Sequence, residues 1–328
     1  LLPILGDASL VDILEKVAYN ALPAPMTRDL WGHQYDQQPN QVLVSEHPRS
    51  WYNNGPAANL FGLEPNFGCC TANLHQGWPK LVQSLWLATA ANGLAAAVYA
   101  PCTVTAHVGE GAEVTIVEET NYPFGEVIVF TLHGQRPVAF PLQLRVPAWC
   151  EAATVQVDGE PPRLVPAGGF FTLERVWTDG DRVTLTLPMR VRVSTWYHNT
   201  AGVERGPLVF ALRVQEDWRR LRGTDPYPDW EVHPASPWNY GLILNPRAPE
   251  RSFSIETRPW AGQPFDSARP PIVLKAKARR LPGWVLENGS AGDPPVSPVV
   301  SSEPVEAVEL IPYGAAKLRV AQIPWCEG

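Results

Sequence analysis

The chain has 328 residues, enough for two or three domains of about 100–200 residues each, and its 45% hydrophobic content supports well-buried cores. A formal net charge of −7 with no basic patch argues against a nucleic-acid or anionic-membrane partner, and no apolar run reaches the ~18 residues of a membrane span. The first residue is Leu1, without a Met, a charged leader or a cleavage site, so the sequence reads as a fragment that starts inside a domain, and compartment and oligomeric state stay open.

Residues 1–98 read as helix with long loops. Asp7 or Ser9 can cap a helix whose apolar positions Leu10, Ile13, Leu14 and Val17 share one face and which ends near Asn20. The spacing of Leu81, Val82, Leu85, Trp86 and Thr89 predicts a second helix over 78–91, opened by Pro79 and stopped by Asn92-Gly93. The long polar and aromatic stretch between the two is the kind of loop that lines a site. Its segment 31–40 mixes rings, donors and acceptors in a way that suits hydroxyl-rich sugars, or makes an ordinary polar turn.

Residues 99–190 switch to a period of two. Val114 and Ile116 alternate with polar neighbours, Phe140, Leu142, Leu144 and Val146 alternate before Pro147, and Val183, Leu185 and Leu187 alternate before Pro188. Short strands with Gly/Pro turns predict an antiparallel sandwich. Residues 191–328 are also strand-rich but less regular, and the clearest strands are 208–212 and Val305–Ile311. Residues 282–304 are loop-like and carry the sequon Asn288-Gly289-Ser290.

Five cysteines show no disulfide-rich spacing, and Cys102, Cys150 and Cys326 are expected as buried small hydrophobes. Cys69 and Cys70 are adjacent, just ahead of a helix start. The pair can be simple packing at a helix entry, two ligands of a Zn2+ ion, or a vicinal disulfide. A coordinating thiol is deprotonated outright, so zinc would also make a nucleophile. Zinc takes four ligands, and no CxxC or HxxxH partner lies near. His75 is expected to be a hydrogen-bonded residue at a helix start; Glu46 and Glu64 are candidate general acids or solvated loop carboxylates.

Residues 66–73, Asn-Phe-Gly-Cys-Cys-Thr-Ala-Asn, with His75-Gln76-Gly77-Trp78-Pro79-Lys80, resemble the double-cysteine signature of glycoside hydrolase family 127, whose founding activity is β-L-arabinofuranosidase. Residues 14–20, the Arg205-Gly206-Pro207-Leu208-Val209 strand and Pro312-Tyr313-Gly314 resemble further family segments in order. The resemblance implies a mixed α and β multidomain fold. Residues 1–98 would be the C-terminal remnant of an (α/α)6 barrel, followed by two antiparallel β-sandwich domains at 99–190 and 191–304, with a strand from 305–325 returning to complete the first. It implies a retaining mechanism on a glycoside or oligosaccharide ending in a furanosidic sugar, β-L-arabinofuranose being the expected one. Cys69 would be the zinc-bound nucleophile and Cys70 a second zinc ligand, with His33, Tyr35 and Gln38 contacting the sugar. The sequence holds no Glu-x-Cys, so the other zinc ligands and the acid/base glutamate are expected upstream of Leu1, and this stretch alone is expected to be inactive. Thr71-Ala72 stands where the family commonly has prolines, which marks a divergent branch. The alternative is a non-catalytic glycan-binding or scaffold protein with a structural cysteine pair.

Overall fold

A computed structural model describes residues 2–49, 54–259 and 262–328. The chain is mostly β. Its internal contacts divide it into two units: Leu1–Val17 with Gly77–Arg190, and Ala18–Gln76 with Val191–Gly328. The expected helical segment 1–98 is therefore split, its middle joining the C-terminal strands and its two ends the sandwich.

The first unit holds helices α1 (Leu2–Leu5) and α2 (Ser9–Lys16), a further helix over Gly77–Gln83, and ten strands. These are β1 (Trp86–Ala88), β2 (Leu94–Ala96), β3 (Cys102–Val108), β4 (Ala112–Thr120), β5 (Val127–Gly134), β6 (Val138–Val146), β7 (Thr154–Val157), β8 (Arg163–Leu164), β9 (Gly169–Trp177) and β10 (Arg182–Thr186). They form a four-stranded sheet, β1-β2-β6-β9, and a six-stranded sheet, β3-β4-β5-β10-β7-β8. Alternation carries the core as the sequence predicts: Val114 and Ile116 of β4, Ile128, Phe130 and Leu132 of β5, and Phe140, Leu142 and Leu144 of β6 are buried. Trp86 of one sheet meets Phe130 of the other edge-on, 5.7 Å between centroids.

The helix expected over 78–91 is shorter. It runs over Gly77–Gln83, and Trp86–Ala88 then pairs antiparallel with β2. Asn92, at φ +53, makes a hairpin turn in place of a helix stop. A Cβ at Gly93 would lie 2.1 Å from the Pro141 carbonyl oxygen, so glycine is what lets this hairpin close against β6.

Helix α2 also differs. Ile13, Leu14 and Val17, expected inward, are 62%, 40% and 52% exposed, while Val11 and Glu15 are buried. The reason is Arg145 on β6, which is fully buried. Its guanidinium pairs with Asp12 and Glu15, 2.5 Å each, and donates to the Ala97 carbonyl. Tyr122 adds a hydrogen bond from its hydroxyl to Glu15, 2.9 Å. Burial pushes the Glu15 carboxyl up and Arg145 pulls it back. An unpaired buried charge is costlier than lost apolar contact, so the helix turns its carboxylates to the arginine.

In the second unit the strands are β11 (Val191–Thr195), β12 (Ala201–Arg205), β13 (Leu208–Arg213), β14 (Glu216–Arg222), β15 (Asp229–Pro234), β16 (Tyr240–Leu244), β17 (Ser254–Thr257), β18 (Ile272–Arg280), β19 (Leu286–Glu287), β20 (Ser290–Ala291), β21 (Val305–Pro312), β22 (Arg319–Val320) and β23 (Trp325–Glu327). One sheet runs β11-β12-β13-β21-β18-β16-β23, with β17 on β18 and β22 on β13; β14-β15 and β19-β20 are separate hairpins. The strand expected to return to the first sandwich, β21, sits instead between β13 and β18 of this sheet. Its alternation explains the placement. Leu310 lies opposite Leu212 and Leu274, while Ile311 joins Ala211 and Val273 on the other face, against Ala315, Ala316 and Ala321.

The hairpin β19-β20 turns at Asn288 and Gly289, both at positive φ, and buries Ser290. Among the described residues no helix is long and apolar enough to cross a membrane.

Candidate active site

The segment 20–41 is fastened to the C-terminal strands. Asn20 donates to the Pro207 carbonyl and accepts from the Val209 N–H, 2.9 and 2.8 Å. The buried Lys317 amine donates to the carbonyls of Pro23, Ala24 and Gly314 at 3.0–3.3 Å. Burial pulls this amine down to about 7. Arg319 donates to the Gln38 carbonyl and the Gln37 amide oxygen, and its guanidinium lies over Tyr313 at 4.4 Å. Asn40 pairs with the backbone of residues 321–322. These bonds fix a loop that has almost no strand structure of its own.

The fixed loop presents His33 and Tyr35 to the next helix, α3 (Gly68–Leu74), which carries both cysteines. His33 exchanges backbone bonds with Gly62, 2.8 and 3.1 Å. Its Nδ1–H donates to the Gln34 carbonyl at 3.1 Å, and its Nε2 is hydrogen-bonded to the Thr71 hydroxyl at 2.9 Å, with the Leu63 carbonyl 3.4 Å from that hydroxyl. The Tyr35 hydroxyl and the Cys70 thiol are near enough to shift each other's titration, and the Tyr35 ring lies edge-on to Phe67 at 5.2 Å.

Cys69 is exposed, Cys70 is half-buried, and both are free thiols with sulfurs 3.7 Å apart. No residue of α3 is buried, so the pair is not helix-entry packing, nor is it a disulfide. On a helix, successive side chains splay by about 100°, and neighbouring sulfurs can approach as they could not on an extended segment. Burial pushes the Cys70 thiol up, and Cys69 adds to that rise. The Tyr35 hydroxyl is raised as well, chiefly by Cys70.

Of the other residues singled out by sequence, Gln38 stands apart: its amide donates to Ser290 Oγ at 3.1 Å. Glu46 pairs with Arg222 on β14, 3.0 Å. Glu64 lies beside the start of α3, where a Cβ on Gly68 would come within 2.5 Å of its carboxylate oxygen. His75 is exposed, its Nδ1 3.5 Å from the Thr71 carbonyl. Cys150 and Cys326 are buried, but Cys102 is only half-buried and its thiol lies 3.6 Å from Glu118 on β4. Sequence reading assigns no site role to Thr71 or Asn66. Asn66 Nδ2 is buried without a hydrogen-bond partner among the described residues, three positions before Cys69.

Residues 93–189 match the family model for the middle domain of GH127 β-L-arabinofuranosidases. By that match, residues 93–189 are of the GH127 middle-domain type. Among solved structures, the chain is similar to a glycoside hydrolase at 22% identity and TM-score 0.70, covering 99% of this chain and 50% of that one. It is similar to a GH127 β-L-arabinofuranosidase from Geobacillus stearothermophilus at 22% identity and TM-score 0.66, covering 100% and 47%. A further GH127 β-arabinofuranosidase gives 18% identity and TM-score 0.66, covering 100% and 48%. These likenesses show a shared fold, and the chain spans about half the length of each structure. Among curated proteins none matches the sequence.

Zinc, which the family resemblance implies, can be tested against this donor set. Two sulfurs bound to one tetrahedral Zn2+ at ~2.3 Å would lie about 3.8 Å apart. The observed 3.7 Å therefore fits two corners of such a site. Among the described residues no group of three or more His, Cys, Asp or Glu is placed to hold a metal. Cys69 and Cys70 thus suit half of a closed site.

Proposed function

We propose that this chain is the C-terminal part of a retaining glycoside hydrolase that releases a terminal furanosidic sugar, most simply β-L-arabinofuranose, with Cys69 as nucleophile. Residues 18–76 would carry the last piece of an (α/α)6 barrel. The observation that carries the reading is Cys69 itself, an exposed thiol 3.7 Å from a second thiol, on a helix that buries none of its residues.

Cys69 and Cys70 would hold Zn2+ together with donors from outside the described residues, and the ion would keep the thiol ionised at neutral pH. The Cys69 sulfur then attacks the anomeric carbon as the glycosidic C–O bond breaks. A carboxylic acid from outside the described residues protonates the departing oxygen. The same carboxylate next deprotonates a water that displaces the sulfur, so configuration is retained. Within this chain, Tyr35 orients Cys70 through its hydroxyl, and His33 fixes α3 through Thr71.

The test is hydrolysis of p-nitrophenyl β-L-arabinofuranoside by the complete enzyme, with a mass-spectrometric search for a sugar on Cys69. Cys69→Ser is expected to lower turnover at least about a thousandfold, because an alcohol is a far poorer nucleophile at neutral pH. Unchanged turnover in that variant would refute the mechanism. The incomplete donor set favours one other reading, a non-catalytic glycan-binding protein, for which Cys69→Ser leaves glycan affinity intact.

A further inference from the structure

Outside the constellation around Cys69, the second unit contains a cavity of about 490 Å3 lined by Thr27, Arg28, Asp29, Trp218 and Trp230. Its two indoles stand nearly perpendicular, 79° apart with centroids separated by 6.2 Å. Phe61 supports Trp218 at 5.1 Å, and the Trp218 N–H is spent on Glu216 at 3.0 Å. Arg220 lies over the Trp230 ring at 5.4 Å. Both rings are therefore held in place and offer apolar surface to the cavity.

The rest of the lining is polar. The Thr27 hydroxyl donates to Asp29 Oδ1 at 2.7 Å, and the Trp31 N–H donates to the same oxygen at 3.2 Å. Asp29 Oδ2 takes no part in those bonds. Arg28 meets Asp266 through Nε at 3.2 Å, and its side chain is 77% exposed. Alongside, Trp31 and Tyr227 stand edge-on at 5.3 Å, each about half exposed.

This composition selects a ligand class. Arg28 is already paired with Asp266, and Asp29 accepts from Thr27 and the Trp31 N–H, so the charged groups are engaged within the protein and call for no oppositely charged ligand. A wholly apolar ligand would strip water from both charges without replacing their hydrogen bonds. A neutral ring with a C–H face and a rim of hydroxyls meets both parts of the lining, stacking on an indole while its hydroxyls reach Asp29 and Arg28. We propose that this cavity is a carbohydrate-binding site for one or two neutral sugar units of an oligosaccharide. The site does not depend on the chemistry assigned to Cys69.

The experiment titrates the full chain carrying Cys69→Ser, so that no hydrolysis intervenes, with arabinotriose, xylotriose and cellotriose. Tryptophan emission and saturation-transfer NMR report binding. At least one trisaccharide is expected to bind. Trp230→Ala should raise its Kd about tenfold or more and Trp230→Phe much less, since a phenyl ring keeps part of the stacking face. Arg28→Ala, at an exposed side chain, should raise Kd several-fold and keeps the test decisive if Trp230→Ala does not fold. Absence of binding by all three sugars at about 10 mM, or affinity indifferent to both Trp230→Ala and Arg28→Ala, overturns the proposal.

Discussion

The two units solve the same problem by different means. The first unit is ordered by repetition: strands alternate, one face of each sheet is apolar, and the core follows. Its helix is added by one buried guanidinium and two carboxylates. In the second unit the segment 20–41 has little regular structure and is ordered from outside, by Asn20, Lys317, Arg319 and Asn40 forming bonds to backbone groups across nearly the whole length of the chain. Pattern builds the scaffold, and long-range polar bonds aim the site.

The contrast can be broken most severely at Arg145. Arg145→Ala leaves Glu15 buried without its cation and should destabilise the first unit by about 3–5 kcal/mol. Hydrogen exchange should show this loss in residues 77–190 and little change in 191–328; equal loss in both would mean that the units unfold together.

The units should also respond oppositely to pH. Glu118 on β4 is buried, and burial pushes its carboxyl up to about 8 from 4.5, against hydrogen bonds from Cys102, Ala100 and Trp86. Between those values the unfolded chain gives up the proton before the folded one does, so the first unit loses stability as pH rises, by up to about 1.4 kcal/mol per pH unit. For Lys317 the ordering reverses. Between about 7 and 10.5 the unfolded chain holds a proton that the folded chain has lost, so the second unit gains stability as pH rises. Calorimetry across pH 5–10 should show the two slopes, with Glu118→Gln flattening the first and Lys317→Met the second. Slopes of one sign in both units would contradict this assignment.

The smallest expected effect is at Thr71. Thr71→Val removes the hydroxyl bonded to His33 and should cost about 1 kcal/mol locally, seen as faster exchange in α3. Exchange unchanged in α3 would show that His33 does not hold this helix.

The strands of the sandwich are legible in the sequence because a period of two puts every second side chain on one buried face, a pattern no helix produces, as at Val114–Ile116 and Phe140–Val146. Helix and hairpin are harder to separate at 84–93, where Leu85, Trp86 and Thr89 fit a helical face but the close approach of Gly93 to Pro141 decides for a hairpin. The orientation of α2 is hidden for a related reason: its apolar stripe is evident in sequence, while the arginine that claims the other face lies about 130 residues away. The cysteine pair can be found by inspection. Its neighbours Tyr35 and His33 can be suspected from loop composition, but Gln38 cannot be separated from them, because its partner Ser290 belongs to a distant hairpin.

That hairpin also governs chemical modification. Asn288-Gly289-Ser290 satisfies the acceptor rule for N-linked glycans, yet Ser290 is buried and its hydroxyl is engaged by Gln38. A glycosylating enzyme must engage that hydroxyl, so a host with this machinery could decorate Asn288 only on the nascent chain. Once β19-β20 closes, the window shuts, and occupancy at this asparagine would report how long the segment stays open during synthesis.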